Sequence, residues 1–235
     1  LGPGTYRVRF SVSNFGPSDG PGQTNLIAEY FEDTTDYASA VPVETSVASP
    51  ATAIDASLEA GATISGTVTL PADAPAEWMG AMRVSASPFR GWGPGNSASV
   101  DPATGQYTIA GLSSGPYRVS FSGGGTGLIS EYFDDTTDYA SAVPVETSAD
   151  SPAVGIDAAL ETGATISGTV TLPAGAPDEW MDAVSVMAYS MSGQGTGQFA
   201  RVDRATGSYT LRGLASGAYR VSFSVSSSGP PGSPA

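Results

Sequence analysis

The sequence predicts an all-β protein made of tandem antiparallel β-sandwiches, each with about seven strands. Three observations carry this prediction. The stretch EYFEDTTDYASAVPVETS at 29–46 returns at 131–148 with a single change, Glu32 to Asp134. The stretch GATISGTVTLPA at 61–72 returns at 163–174, with the same offset of 102 residues (131 − 29 and 163 − 61). Within each repeat, alternating apolar residues are separated by turn-forming residues, which is typical of short strands joined by tight turns.

The first half of each repeat contains two alternating strand patterns and a turn between two further strands. Residues 64–70 place apolar side chains at every second position, which predicts a strand with one buried face. Residues 82–86 and their copy at 184–188 show the same alternation. Residues 101–105 then supply an Asp-Pro pair and a glycine, which predicts a turn between two further strands.

In the second half of the repeat, the predicted strands are shorter and loops take up more of the sequence. Residues 117–121 alternate so that Tyr117, Val119 and Phe121 face the core and Arg118 points away. We predict a strand at 129–133, then a loop over 134–142 with one helical turn capped by Asp135 or Thr136. The remaining predicted strands are 143–145, which its proline confines to a sheet edge, and 156–160.

Composition excludes several kinds of chemistry. The chain of 235 residues has no cysteine and no histidine, and its nine basic residues are all arginine. Disulfides, zinc–thiolate sites, cysteine nucleophiles, histidine-based triads and lysine-based catalysis are therefore excluded. The net charge of −14 repels nucleic acid and anionic membrane surfaces, so we expect neither as a partner. No stretch reaches the roughly 20 apolar residues that cross a bilayer, so we expect no membrane insertion.

Three motifs together resemble a known family. Ile64-Ser-Gly-Thr-Val68, the turn and strand at 101–109, and the Gly-rich connection and strand at 111–119 resemble the carboxypeptidase-regulatory-like family. Its modules are transthyretin-like (prealbumin-like), with an architecture similar to immunoglobulin-like sandwiches. The resemblance implies tandem accessory modules in secreted or surface proteins of bacteria. It also implies that a module starts at the ISGTV motif and ends at the strand Ile156-Asp-Ala-Ala-Leu160.

This phasing divides the chain into one complete module and two partial ones. Residues 61–161 form the complete module, 1–60 the C-terminal part of a preceding one, and 162–225 the N-terminal part of a following one. Residues 226–235 are a linker or tail. Because half a sandwich leaves strand edges and an apolar face unpaired, two outcomes are open. The domains are circularly permuted, as 1–112 and 113–225, or the two partial modules complement each other within or between chains.

An acidic loop is the first candidate site. Glu131, Asp134, Asp135 and Asp138 cluster in one copy, and carboxylates at this density suit Ca²⁺, which takes six to eight oxygen ligands. The alternative is a helix N-cap with solvated charge on a loop. We therefore expect no obligatory cofactor, with calcium as the one candidate.

The tryptophans are the second candidate. Trp78 and Trp180 occupy equivalent positions in the two copies, which favours a structural role at the end of each sandwich. Trp92, flanked by glycines in one copy only, is the candidate contact for a sugar ring or another partner. The small loops offer no cleft for paired carboxylates, so we expect no catalytic residues and no enzymatic activity.

We therefore predict a segment of a secreted or cell-surface structural array, such as a stalk, spacer or filament. Its expected partner is itself, along the array or between chains by strand complementation. One alternative is a carbohydrate-binding module of a secreted hydrolase, for which polysaccharide is the expected partner. The other is a calcium-stiffened adhesin.

Overall fold

A computed structural model of the chain describes residues 1–11, 24–90, 95–191 and 197–226. The predicted fold class is confirmed, because the chain is nearly all β and consists of sheets of mainly antiparallel strands. For the description below, residues 1–60 are called the N-terminal unit, 61–161 the central unit and 162–225 the C-terminal unit. These boundaries remain our proposal.

The central unit folds as two sheets. One has the order β10-β9-β6-β7, with β11 also paired to β9, and the other has the order β12-β5-β8. The strands are β5 (Ala62–Thr69), β6 (Arg83–Pro88), β7 (Asn96–Ser99), β8 (Gln106–Leu112), β9 (Gly115–Ser122), β10 (Glu131–Tyr132), β11 (Val145–Thr147) and β12 (Ala158–Ala159). A 3-10 helix at Ala76–Ala81 connects β5 to β6 across the end of the sandwich.

One core fills the space between these sheets. The alternation at 64–70 and at 117–121 has the predicted result, because Ile64, Val119 and Phe121 are fully buried. They pack in one cluster with Val84 and Val68. The turn at 101–105 is held by Asp101, whose carboxylate accepts hydrogen bonds from the N–H groups of Ala103 and Thr104. Gly105 adopts φ of +72°, a conformation that favours glycine.

One strand pair differs from the expected antiparallel arrangement. β12 runs parallel to β5, with Ala158 opposite Val68. The chain reaches this edge after leaving the other sheet at β11, so it arrives in the direction of β5 rather than by a hairpin. The predicted strand at 129–133 is also shorter than expected, because only Glu131–Tyr132 pairs with β9.

The C-terminal unit repeats the first half of the sandwich. Its strands are β13 (Ala164–Thr169), β14 (Val184–Ser190), β15 (Gln198–Arg201), β16 (Ser208–Leu214) and β17 (Tyr219–Val225), with a 3-10 helix at Asp178–Ala183. β13 pairs with β16, and β14 lies between β15 and β17. A second, smaller core forms here around Val186, Leu211 and Leu214.

The N-terminal unit repeats the second half, and none of its described residues, 1–11 and 24–60, belongs to either core. Its strands are β1 (Gly4–Tyr6), β2 (Arg9–Phe10), β3 (Glu29–Tyr30) and β4 (Val43–Thr45). β1 pairs with β4 and β2 with β3, and the stretch 51–59 belongs to no strand. None of the helices among the described residues is long and apolar enough to cross a membrane.

Candidate functional site

Neighbouring units meet at two joints that share one pattern of main-chain contacts. The first joint consists of residues 24–27, 59–61 and Gly111. In it, the Ile27 N–H donates to the Glu59 carbonyl over 2.9 Å. The Gly61 N–H donates to the Asn25 carbonyl over 3.1 Å, and Leu26 bridges to Ala60. Residues 24–27 are thereby tied to the segment that leads into the central unit.

The second joint consists of residues 126–129, 161–163 and Gly213, and it lies 102 positions further along. The Ile129 N–H donates to the Glu161 carbonyl over 2.9 Å, and the Gly163 N–H donates to the Gly127 carbonyl over 2.8 Å. Leu128 bridges to Thr162, as Leu26 does to Ala60. Each of these main-chain hydrogen bonds of the first joint therefore has a counterpart in the second.

Glycines allow the close approach at both joints. A Cβ atom on Gly213 would overlap the Leu128 carbonyl oxygen, and one on Gly111 would lie 2.8 Å from the Leu26 carbonyl oxygen. Both glycines also have positive φ, +66° and +71°. Any other residue would therefore be strained at these positions and would push the joint apart.

Asn25 makes the first joint stronger than the second. Its side-chain amide donates to the Gly61 carbonyl over 2.8 Å and accepts from the Gly111 N–H over 2.9 Å. The equivalent residue in the second joint is Gly127, which has no side chain. The ring of Trp78 fills that space, because a Cβ on Gly127 would lie 2.9 Å from it.

A buried carboxyl group lies beside each joint. Glu131 is only 8% exposed, and its Oε1 atom is buried without a hydrogen-bond partner. Burial raises the pKa of Glu131 to about 7, and the negative charges of Asp135 and Glu161 add to this increase. Glu161 belongs to the second joint, so the charge state of Glu131 is coupled to an acidic residue of that joint.

The same arrangement recurs at the first joint. Glu29 is 5% exposed, and its Oε1 atom is also buried without a partner. Burial raises the pKa of Glu29, and Asp33 and Glu59 raise it further. A buried glutamate facing two acids is thus a repeated feature of the joints.

The acidic residues predicted to bind calcium are divided among different roles. Asp134 and Asp135 both have positive φ, +72° and +56°, in the tight turn between Tyr132 and Thr136. Among the described residues, no group of three or more acidic side chains is placed to hold a metal ion. The calcium site formed by Glu131, Asp134, Asp135 and Asp138 stays a prediction.

The cap of the acidic loop differs from the one that we expected. Asp138, not Asp135 or Thr136, caps the turn at 139–141. Its carboxylate accepts from the Ser141 hydroxyl over 2.6 Å and from the Ala140 N–H over 3.2 Å. These bonds, that of Ser141 first, lower the pKa of Asp138. The side-chain cap is therefore at Asp138, three residues later than Asp135, and it precedes a turn rather than a helix.

Tyr139 of this loop covers Arg118, which the alternation of residues 117–121 predicted to point away from the core. Arg118 does point away from the core, but it is buried. Its guanidinium carbon lies 3.6 Å from the centre of the Tyr139 ring and 4.6 Å from that of Phe89. The alternation of β9 predicted the correct face, but it carried no signal that a loop folds back over it.

The tryptophans have different surroundings in the two units. Trp78 is partly buried and packs against the central core, which agrees with the structural role. Trp180, by contrast, is 52% exposed. Trp92, the candidate ligand contact, lies outside the described residues.

A polar pocket of about 270 Å³ lies beside the second joint, between the 120–132 segment and Gln198. Serine, threonine and glycine residues form most of its wall, and Glu131 is its one acidic residue. Hydrolysis of a glycosidic bond requires two carboxyl groups. The pocket therefore lacks the pair that such a reaction uses.

These observations define a tandem β-sandwich protein whose units meet at repeated joints. No protein-family model matches the chain, and no curated protein matches it. Among solved structures, the chain is similar to a protein from Bacteroides ovatus described as a candidate adhesin, with a TM-score of 0.26 and 11% identity. The similarity covers 73% of this chain and 70% of that one. The carboxypeptidase-regulatory-like resemblance stays a prediction.

Proposed function

We propose that this chain is a segment of a non-enzymatic structural array outside the cell, in which β-sandwich units serve as a stalk or spacer. The observation that carries this proposal is the repetition of the joint. The same two main-chain hydrogen bonds and the same glycine contact recur at an offset of 102 residues. Units joined in this way keep a fixed relative orientation, as a rod requires.

The composition supports the same role. The negative charge keeps an extended array soluble and prevents it from associating with other anionic surfaces. The described pocket contains a single carboxylate, and the sequence contains no cysteine, histidine or lysine to serve as a nucleophile or base. A mechanical role needs only packing and strand ladders, both of which the central unit provides.

Distances between spin labels test the stiffness of the joints. Because the chain has no cysteine, two introduced cysteines can be labelled alone. Val47→Cys with Ala149→Cys spans the first joint, and Ala103→Cys with Ala205→Cys spans the second, all at exposed positions. We expect a narrow distance distribution from each pair. Broad distributions from both would overturn the proposal, because independently moving units cannot form a stiff spacer.

Two further assays address the alternative functions. Binding to polysaccharides that is lost in Trp92→Ala would favour a carbohydrate-binding module. A melting temperature that falls when EDTA is added would favour a calcium-stiffened adhesin, because a bound ion stabilises the folded state. We expect neither effect for a purely structural segment.

A further inference from the structure

The central unit shows how the open edges of this sandwich are covered. β10 and β11 pair with the outer edge of β9, and β12 with the segment before it lies along β5. In the C-terminal unit, β17 pairs only with β14 and β13 only with β16, as far as the described residues extend. Within the described residues, the strands equivalent to β9 and β5 therefore each have a strand partner on one edge only.

The segment that fits these edges is present elsewhere in the chain. Residues 26–58 are nearly identical to residues 128–160, which cover the central unit. The two stretches differ only at Ala28, Glu32, Val47, Ala48, Thr52, Ala53 and Ser57. In the N-terminal unit, residues 54–58 belong to no strand, although their copy forms β12.

Residues 4–10 already pair with part of residues 26–58, which are called the covering segment below. Tyr6 pairs with Val43 as Tyr117 pairs with Val145, and Phe10 pairs with Glu29 as Phe121 pairs with Glu131. The register is therefore the same as in the central unit. In the part of the chain that the structure describes, no strand pairs with the other edge of residues 4–10 and none of these residues belongs to either core, so few contacts hold them in place.

We propose that residues 217–225 of one copy displace residues 4–10 from residues 29–45 of a second copy, joining chains head to tail. Residues 54–58 of the second copy then add to β13 in parallel. The exchanging strands have similar sequences, GTYRVRF at 4–10 and GAYRVSF at 217–223. The inference rests on the proposed function, because it names the partner that extends the array.

The exchange gives the C-terminal unit the contacts that the central unit already has. Phe223 and Val225 are 55% and 71% exposed, whereas Phe121, the counterpart of Phe223, is fully buried. β17 packs against the core of the C-terminal unit, whereas residues 4–10 pack against neither core. Burial of this apolar surface favours the exchanged state.

Polar contacts point to the same partner. Tyr107 donates its hydroxyl hydrogen to the Ile156 carbonyl over 2.5 Å, and Tyr209 would make the same bond to Ile54 of the second copy. Arg220 is exposed, whereas its counterpart Arg118 is stacked on Tyr139. Tyr37 of the second copy would supply the equivalent ring, since it already stacks on Arg7 at 4.6 Å.

Two disulfide variants of the full chain distinguish the two pairings. Glu44 pairs with Thr5 in one chain, and by the register of Glu146 with Pro116 it would pair with Ala218 after exchange. Oxidised Glu44→Cys/Ala218→Cys should form a ladder of covalent multimers that dithiothreitol dissolves. Oxidised Thr5→Cys/Glu44→Cys, the matched control, should lock residues 4–10 in place and remain monomeric until it is reduced.

The outcomes are separable. A Glu44→Cys/Ala218→Cys chain that cross-links only within a monomer, or not at all, would overturn the inference. The inference would also be overturned if the oxidised Thr5→Cys/Glu44→Cys chain formed multimers as abundantly as its reduced form does. Fluorescence of Trp180, with Trp78 and Trp92 replaced by Phe, should shift to shorter wavelength on assembly. The cysteines of the Thr5→Cys/Glu44→Cys variant form a disulfide and cannot also carry spin labels. The stiffness of the joints is therefore measured separately on dilute monomer, where it tests the proposed function alone.

Discussion

Tyr209 and Phe223 meet edge to face with ring centroids 5.7 Å apart and planes at 79°, although Phe223 leaves 55% of its surface in water. The equivalent pair in the central unit, Tyr107 and Phe121, has nearly the same geometry, at 5.9 Å and 78°, and is buried. The pair geometry is therefore set within the first half of the sandwich. Its burial depends on the covering segment.

This comparison predicts unequal effects of truncation. Phe121→Ala should lower the free energy of unfolding of the central unit by about 3–5 kcal/mol, the usual cost of a large core cavity. Phe223→Ala, its matched control, should cost the C-terminal unit about 1 kcal/mol or less in monomer, because the side chain is half solvated. Hydrogen exchange resolved by unit would measure both changes, and equal losses would contradict the difference in cover.

The tyrosine hydroxyl provides a second paired test. Tyr107→Phe removes a buried hydrogen bond to the Ile156 carbonyl, so we expect a loss of about 1–2 kcal/mol in the central unit. Tyr209→Phe should be nearly neutral in monomeric chain, since the equivalent carbonyl is not beside it. Urea unfolding followed by hydrogen exchange checks the pair. A neutral Tyr107→Phe would show that β12 is held by other contacts.

The buried glutamate predicts a pH dependence of stability. The pKa of Glu131 is raised from 4.5 to about 7 in the folded chain, so folding favours the protonated form. Its contribution is fully present below about pH 4.5 and is lost as the pH rises through 7, with a total on the order of 3 kcal/mol. Unfolding of the central unit, measured from pH 4 to 8, should show this decline.

Substitution isolates the source of that slope. Glu131→Gln should flatten it, because the amide stays neutral at every pH in the range. Glu146→Gln, on the exposed side of β11, should leave the slope unchanged. If Glu131→Gln retained the full slope, another acid would have to carry it.

The glycine at the second joint predicts a local loss of order. In Gly213→Ala, the new Cβ would overlap the Leu128 carbonyl oxygen, so the distance distribution across this joint should broaden. Gly175→Ala is the control, because Gly175 also has positive φ, +85°, but faces open space. Both variants carry backbone strain of about 1 kcal/mol, so only the first should affect the joint. Similar broadening in the two would attribute the effect to strain alone.

The fold could be predicted because its signals are local and occur twice. The alternation at 64–70 and 117–121 identified buried faces, and the Asp-Gly pattern at 101–105 identified a turn. The direction of β12 could not be predicted, because periodicity says nothing about which way a strand enters a sheet. The cap of the acidic loop was misplaced for a similar reason, since Asp135 and Asp138 are equally good capping residues by type.

The features beside the joints depend on residues far apart in sequence. Glu131 acquires its raised pKa through burial and through Glu161, thirty positions away (161 − 131). Arg118 is covered by Phe89 and Tyr139, which lie in separate loops. The repeated glycine-rich segments at 61 and 163 were the available signal for the joints. The sequence does not indicate that Gly111 and Gly213 contact these segments, because that contact depends on the folded chain.

The hydrogen bonds that form the second joint connect main-chain N–H and carbonyl groups. The geometry of this joint does not depend on which solvent-facing side chains the flanking sandwiches carry. The outer faces of such a protein could therefore accumulate substitutions without altering the spacing between successive units.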